Sequence, residues 1–248
     1  MASLDSVRHK IGHAKLHLDL VRSEIRGYLD ANPSEFVPDA NSPANQLMVT
    51  VKPKAPIPDK IGLIVGDCLQ NLRTSLDYLI WELVLVATNT PSKKNMFPVC
   101  LTVDSFQSAQ RRGRVQGVDA SAITLIDAFQ PYRDGQPNAT SLAILDELTN
   151  TNKHRRLLLT EFSTLSIQEI IVTYQNWIKS GSPDLSTLAH NTVFDRTVTT
   201  EQMNVQGDLL PFVAFNEGAV TGMEVGFGLE AFVIYVSTLV DRFEVFFP

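Results

Sequence analysis

Apolar residues near the start of the chain recur at alternating intervals of three and four: Leu4, Val7, Ile11, Ala14, Leu18, Val21, Ile25 and Tyr28. This is a heptad seam, and it predicts a helix from about residue 4 to residue 29. A helix of that length spans roughly 37 Å, so another long helix or a second subunit is expected to cover the seam. Asn32–Pro33 stops it, because proline disfavours helical geometry in the residue before it. Leu47, Val49 and Val51 then alternate with polar residues and predict a short strand, ended by Pro53, Pro56 and Pro58. A second long helix is expected over 59–87. Its seam is Ile61, Val65, Cys68, Leu72, Leu76, Leu79, Leu83 and Val86, with Leu63, Ile64, Leu69, Ile80, Val84 and Leu85 on the flanks. A helix apolar over most of its circumference is a central one.

Beyond "TNTPSKKN" the pattern breaks up. "FPVCLTVDSFQSAQ" reads as an extended piece and a short helix capped at Asp104. Asp119 or Ser121 caps another short helix through Ile123, Ile126 and Phe129, and Leu142, Leu145 and Leu148 mark a third. From Arg155 to about residue 216 the sequence turns β-branched, aromatic and alternating, which predicts three to five antiparallel strands. A last helix occupies 228–247, with Leu229, Phe232, Val233, Val236, Leu239, Val240, Phe243, Phe246 and Phe247 on one broad face. The expected architecture is one domain over 1–248, α+β and mainly α. A bundle of three to four long helices (about 4–29, 59–87 and 228–247) carries a short-helix region at 104–150 and a small antiparallel sheet drawn from 155–216.

Composition changes this picture little. A formal net charge of −6 gives no global attraction to nucleic acid or anionic lipid. Two cysteines, Cys68 and Cys100, are too few for a disulfide framework, and Cys68 falls in the apolar pattern of a buried thiol. Reduced thiols and an opening without an apolar signal core suggest a cytoplasmic protein. No apolar run reaches the roughly 18 residues of a spanning helix, so no membrane partner is expected. No P-loop, dinucleotide fingerprint, GxSxG or HExxH motif occurs.

The candidate chemistry lies on the central helix, in "GDCLQNLRTSLDYLIWEL" from Gly66 to Leu83. Asp67, Asn71, Thr74 and Tyr78 share one stripe, extended by Glu82, while Arg73 and Asp77 stand at i, i+4 and can pair. Two readings are open. The stripe is a structural layer holding long helices in register, or it lines a polar cleft in which Arg73 holds an anion. A second candidate is "NTNKHRR", which sets Lys153, His154, Arg155 and Arg156 at a helix-to-strand junction. A histidine among cations is held neutral and available as a base; alternatively, the cations simply suit the negative end of a helix dipole. His9, His13 and His17 are each four residues from the next, so the first two could share a helix face at metal-binding spacing, but no Cys or carboxylate motif elsewhere completes a site; a solvated face is the plainer reading. "RRGR" at 111–114, with Arg133 and the 153–156 run, could form a local basic patch.

"GDCLQNLRTSLDYLIWEL", "DELTNTNKHRRLL" and "FQPY" together resemble a block in uncharacterised bacterial proteins, where a "GD…NLRSALDHLVWEL"-like helix precedes an "NxDKHR"-like segment. The helix in turn resembles the signature helix of the HEPN superfamily, helical bundles with an Arg-x4-His motif. Many members are dimeric, metal-independent ribonucleases of defence and toxin–antitoxin systems, and others only bind. The resemblance places the motif arginine on Arg73 and the motif histidine on Tyr78, a phenol with a pKa near ~10 and a poor proton shuttle at neutral pH. On that reading Arg73 holds a scissile phosphate positioned by Asn71, and His154 supplies the missing imidazole from a neighbouring segment as general base on a ribose 2′-OH. Asp67, Asp77, Lys153 and Arg155 then contact an RNA or nucleotide substrate, and neither metal nor cofactor is needed. It also implies a homodimer formed through the long helices. The alternative is a non-catalytic assembly or ligand-binding helical module, and a weaker third reading is a metal-dependent hydrolase using His9, His13, Asp67 and Asp77.

Overall fold

The structure is a computed structural model and describes residues 2–38, 49–87, 90–157, 159–164 and 210–248. The fold is α+β and mainly α. Among the described residues the α-helices are α1 (Asp5–Asp30), α2 (Asp59–Ala87), α3 (Val103–Arg111), α4 (Ala120–Ala128), α5 (Ser141–His154) and α6 (Val225–Asp241). The strands are β1 (Ser34–Pro38), β2 (Val49–Pro53), β3 (Leu159–Thr164) and β4 (Leu210–Phe215), paired antiparallel as β1–β2 and β3–β4. Two compact units are present. One comprises Met1–Val21, Gly62–Leu157 and Gly226–Pro248; the other comprises Arg22–Ile61 and Leu158–Val225.

The first unit is a helical bundle. Its register is set by contacts that pair low numbers on α1 with high numbers on α2, so the two helices run antiparallel. The Ser6 hydroxyl donates to Glu82 at 3.0 Å near one end, and the Cys68 thiol donates to the Ala14 carbonyl at 3.2 Å further along. Every residue of the α1 heptad seam is buried within the chain, so no second subunit is needed to cover it. The α2 seam is likewise buried from Ile61 to Leu83, but Val86 and the flanking Leu63 are exposed. The expected helix at 228–247 begins earlier and ends earlier, as α6, and a 3-10 turn at Glu244–Phe246 follows it. Its apolar face from Leu229 to Phe243 is buried.

Local chemistry explains the shorter elements. Asn32, with φ of 49°, occupies the left-handed position that commonly closes a helix, and its N–H donates to Leu29. The cap of α3 is Thr102 rather than Asp104. The threonine accepts from the Ser105 N–H while the Ser105 hydroxyl accepts from the Thr102 N–H, a reciprocal capping box. Of the two expected caps, Asp119 closes α4; it accepts from the Ser121 hydroxyl and the Ser121 N–H, and these bonds hold its carboxyl below the ordinary range. In the second unit, β1 was not expected; it pairs with β2 from Ser34 opposite Pro53 to Pro38 opposite Val49. Within the predicted strand-rich stretch the structure describes β3 and β4, and residues 165–209 lie outside the described residues.

Cys68 is fully buried, and burial pushes its thiol pKa up to about 12. An unfolded cysteine titrates at about 8.5. Between these values the unfolded chain binds fewer protons than the folded one, so the Cys68 contribution is complete below pH of about 8.5 and declines as pH rises toward 12. Chemical-denaturation curves from pH 7 to 10.5 should therefore show a steeper alkaline loss for the wild type than for Cys68→Ala. Native Cys68 should also resist alkylation at pH 8 and react once the chain unfolds.

Candidate functional site

Arg73 is the buried polar centre of α2, with 9% of its surface exposed. Its position opposite α5 follows from antiparallel packing of the two helices. Gly66 of α2 faces Asn152 of α5, and Arg73 faces Asp146. Seven residues on one helix match six on the other, a rise of about 10 Å in each. Gly66 permits this approach, because a Cβ there would stand 2.4 Å from the Asn152 amide. The two stretches that carry the sequence resemblance are therefore opposite sides of one helix–helix contact.

Every nitrogen of the guanidinium has a partner. Nε donates to Asp146 Oδ1 at 2.9 Å, Nη1 to Asp77 Oδ1 at 2.7 Å, and Nη2 to the Phe97 carbonyl at 2.9 Å. Asp77 Oδ1 also accepts the Phe97 N–H at 2.9 Å. The i, i+4 pair on α2 thus grips both backbone polar groups of one residue. Phe97 lies outside the helices and strands, so its buried N–H and C=O need partners from side chains. Gln130 does the same a few residues on. It accepts the Cys100 N–H at 3.0 Å and donates to the Pro98 carbonyl at 3.0 Å and the Ile126 carbonyl at 3.1 Å. Burial works to lower the Arg73 pKa, but Asp77 and Asp146 outweigh it and hold the guanidinium more firmly protonated than usual.

The expected site residues divide between separate places. Arg73 and Asp77 meet as predicted. Asn71 does not join them: two helical positions rotate it about 200° from Arg73. Its amide instead donates to the Asp67 carbonyl at 2.8 Å and accepts from Lys10 at 3.4 Å. Tyr78 shares the Asn71 side of α2, exposed, with the Lys10 ammonium 5.7 Å from its ring centroid. Asp67 is exposed on the same stripe, and Glu82 extends it by accepting from the Ser3 N–H and the Ser6 hydroxyl. The stripe is real, but Arg73 is not part of it.

His154 is the last residue of α5 and is exposed. It lies eight residues beyond Asp146, about 12 Å along the helix axis, while Arg73 is held at the Asp146 level. The chain does not bring the arginine and the histidine to one cleft. Lys153 donates to Asn150 at 3.2 Å, Arg155 is the C-cap and donates to the Arg156 carbonyl at 3.3 Å, and Arg156 packs over Gly62. These cations sit where the helix dipole favours positive charge. His9 and His13 are exposed, and His17 is half-buried. Among the described residues no three His, Cys, Asp or Glu side chains come together as a metal site, and Asp77 is engaged by Arg73. Arg133 is neutralised by Asp127 and lies over the Tyr132 ring.

Asp146, Phe97 and Gln130 were not singled out from the sequence. The available signals were a carboxylate beside the Leu142–Leu145–Leu148 stripe and a glutamine set between Phe129 and Pro131. No protein-family model, no curated protein and no solved structure matches the chain. Fold and site define a mainly helical α+β protein built around a buried arginine–carboxylate clasp. Among the described residues, no helix is long and apolar enough to cross a membrane.

Removing the guanidinium leaves Asp77 and Asp146 without their cation and the Phe97 carbonyl without its donor. Arg73→Ala should cost about 3 kcal/mol, the low end for a broken buried pair because both carboxylates keep some solvent. Arg73→Lys should recover only part of this, since an ammonium lacks the planar fork. A double-mutant cycle of Arg73→Ala with Asp146→Ala, read by denaturant unfolding, should show coupling of about 1–3 kcal/mol.

Proposed function

We propose that this chain is a non-catalytic, HEPN-like helical module that binds a ligand or partner. The observation that supports this reading is the burial of Arg73 with a native partner on each of its three nitrogens. All three of its nitrogens are used at 2.7–2.9 Å by groups of the same chain. An arginine that binds a scissile phosphate needs at least one free fork. Releasing one here would unpair a carboxylate or a buried carbonyl, a cost of about 1–3 kcal/mol before any ligand is held. A general base must come within hydrogen-bond reach of the proton it takes. Tyr78 lies on the other side of α2 from Arg73, and His154 lies at the far end of α5.

Purified protein incubated with labelled single-stranded and structured RNA, with and without added divalent metal, should show no cleavage above a buffer control. Arg73→Lys should lower the melting temperature, and His154→Ala should leave it unchanged. RNA cleavage by the wild type that disappears in both variants at an unchanged melting temperature would overturn the proposal and restore the ribonuclease reading.

A further inference from the structure

The basic tetrapeptide region at 111–114 does not stand alone. The loop at 92–96 is pinned against it, and the two together form a surface that neither shows by itself. The Met96 N–H donates to the Arg114 carbonyl at 3.0 Å. The buried Asn95 amide donates to the Gln116 carbonyl at 2.9 Å and, more weakly, to the Arg114 carbonyl at 3.5 Å. Its oxygen accepts the Ser92 N–H at 2.6 Å, which closes the lysine loop on itself. Gly113, with φ of 83°, makes the left-handed turn after α3, and the Lys94 side chain packs across it. Val115 and Val118, both buried, anchor the segment from below.

This arrangement collects Lys93, Lys94, Arg111, Arg112 and Arg114. Neither 92–96 nor 110–116 contains an acidic residue, although the whole chain carries −6. The first four cations are exposed and Arg114 is half-buried. Among the described residues none of the five forms an ion pair with a carboxylate. Five like charges gathered by fixed backbone bonds repel one another, and a chain of anions relieves that repulsion. Neither segment carries an aromatic side chain, so the surface offers charge without a stacking platform.

Taking the chain as a binding module rather than an enzyme, we propose that the Lys93–Lys94 and Arg111–Arg114 loops form one docking surface for a nucleic-acid phosphate backbone. The surface reads phosphates and not bases. It uses none of the side chains of the Arg73 clasp or of the stripe of Asn71 and Tyr78. Binding should be strongly salt-dependent, because each neutralised phosphate releases counterions.

The test is fluorescence anisotropy with labelled 20-mers of dT and dA from 50 to 200 mM salt. For the wild type, a log–log salt slope of about −3 is expected from four or five contacts to a single strand, with similar affinity for the two sequences. The K93A/K94A/R111A/R112A variant should lose at least about tenfold in affinity at 50 mM salt and flatten the slope toward zero. Asn95→Ala keeps all five cations but unpins the loops, and should lose several-fold. Circular dichroism confirms the fold of each variant, and Lys93→Glu/Lys94→Glu, two exposed changes in one loop, supplies a reversal test should the quadruple variant unfold. Affinity and slope unchanged in the variants would overturn the proposal. So would preference for anionic vesicles or poly-glutamate over the oligonucleotides. Wild-type cleavage of RNA would instead overturn the non-catalytic reading, and the two failures are thereby distinguished.

Discussion

A guanidinium nearly removed from water between two helices and an unpaired backbone segment is the constraint around which the first unit is arranged. Arg73 cannot be buried without compensation, since desolvating a charge costs several kcal/mol. Its compensation comes from three parts of the chain: Asp77 one turn along α2, Asp146 on α5, and the Phe97 carbonyl. Each of those parts is placed by something else. The close approach at Gly66 and Asn152 sets the α2–α5 register, and Gln130 holds the continuation of the Phe97 segment. The clasp therefore depends on the correct packing of pieces distant in sequence, and it penalises alternatives in which any one is displaced.

The same clasp explains why an arginine in a motif-like setting need not be a functional arginine. Chemistry at a phosphate requires donors that are available, and stability requires donors that are used. Here all are used. Polar residues outside the clasp lie on the Lys10–Asn71–Tyr78 side of α2 and on the two basic loops. On the α2 side Tyr78 is exposed while Asn71 and Lys10 hold each other, and on the loops Lys93, Lys94, Arg111 and Arg112 are exposed with no carboxylate partner among the described residues.

Much of the fold was legible in the chain. The bounds of α2 follow from apolar spacing and from Pro58, the Leu142–Leu145–Leu148 stripe marks α5, and α1 differs by one residue at each end from its heptad expectation. Periodicity works for these helices because each buries a continuous stripe. It did not reveal β1, a five-residue strand with too few positions for a pattern, nor the choice of Thr102 over Asp104 as a cap, which depends on Ser105 completing the box. The i, i+4 pairing of Arg73 with Asp77 was readable from helical geometry. Asp146 as the second carboxylate was not, because only packing brings position 146 opposite position 73.

The sequence by itself determined where the long helices run, that α2 is central, and that its polar residues require partners, because helical periodicity and the cost of burying charge are local properties. Only the tertiary structure decided which partners they obtain. It turned Arg73 toward Asp146 and Phe97, and set Asn71 and Tyr78 against Lys10 of α1. It also brought Lys93 and Lys94 against Arg111–Arg114, a neighbourhood created by the Asn95 and Met96 hydrogen bonds across 18 or more residues of chain. Rotation about a helix axis and closure of a loop are set by packing against distant elements, and no short stretch of sequence contains that information.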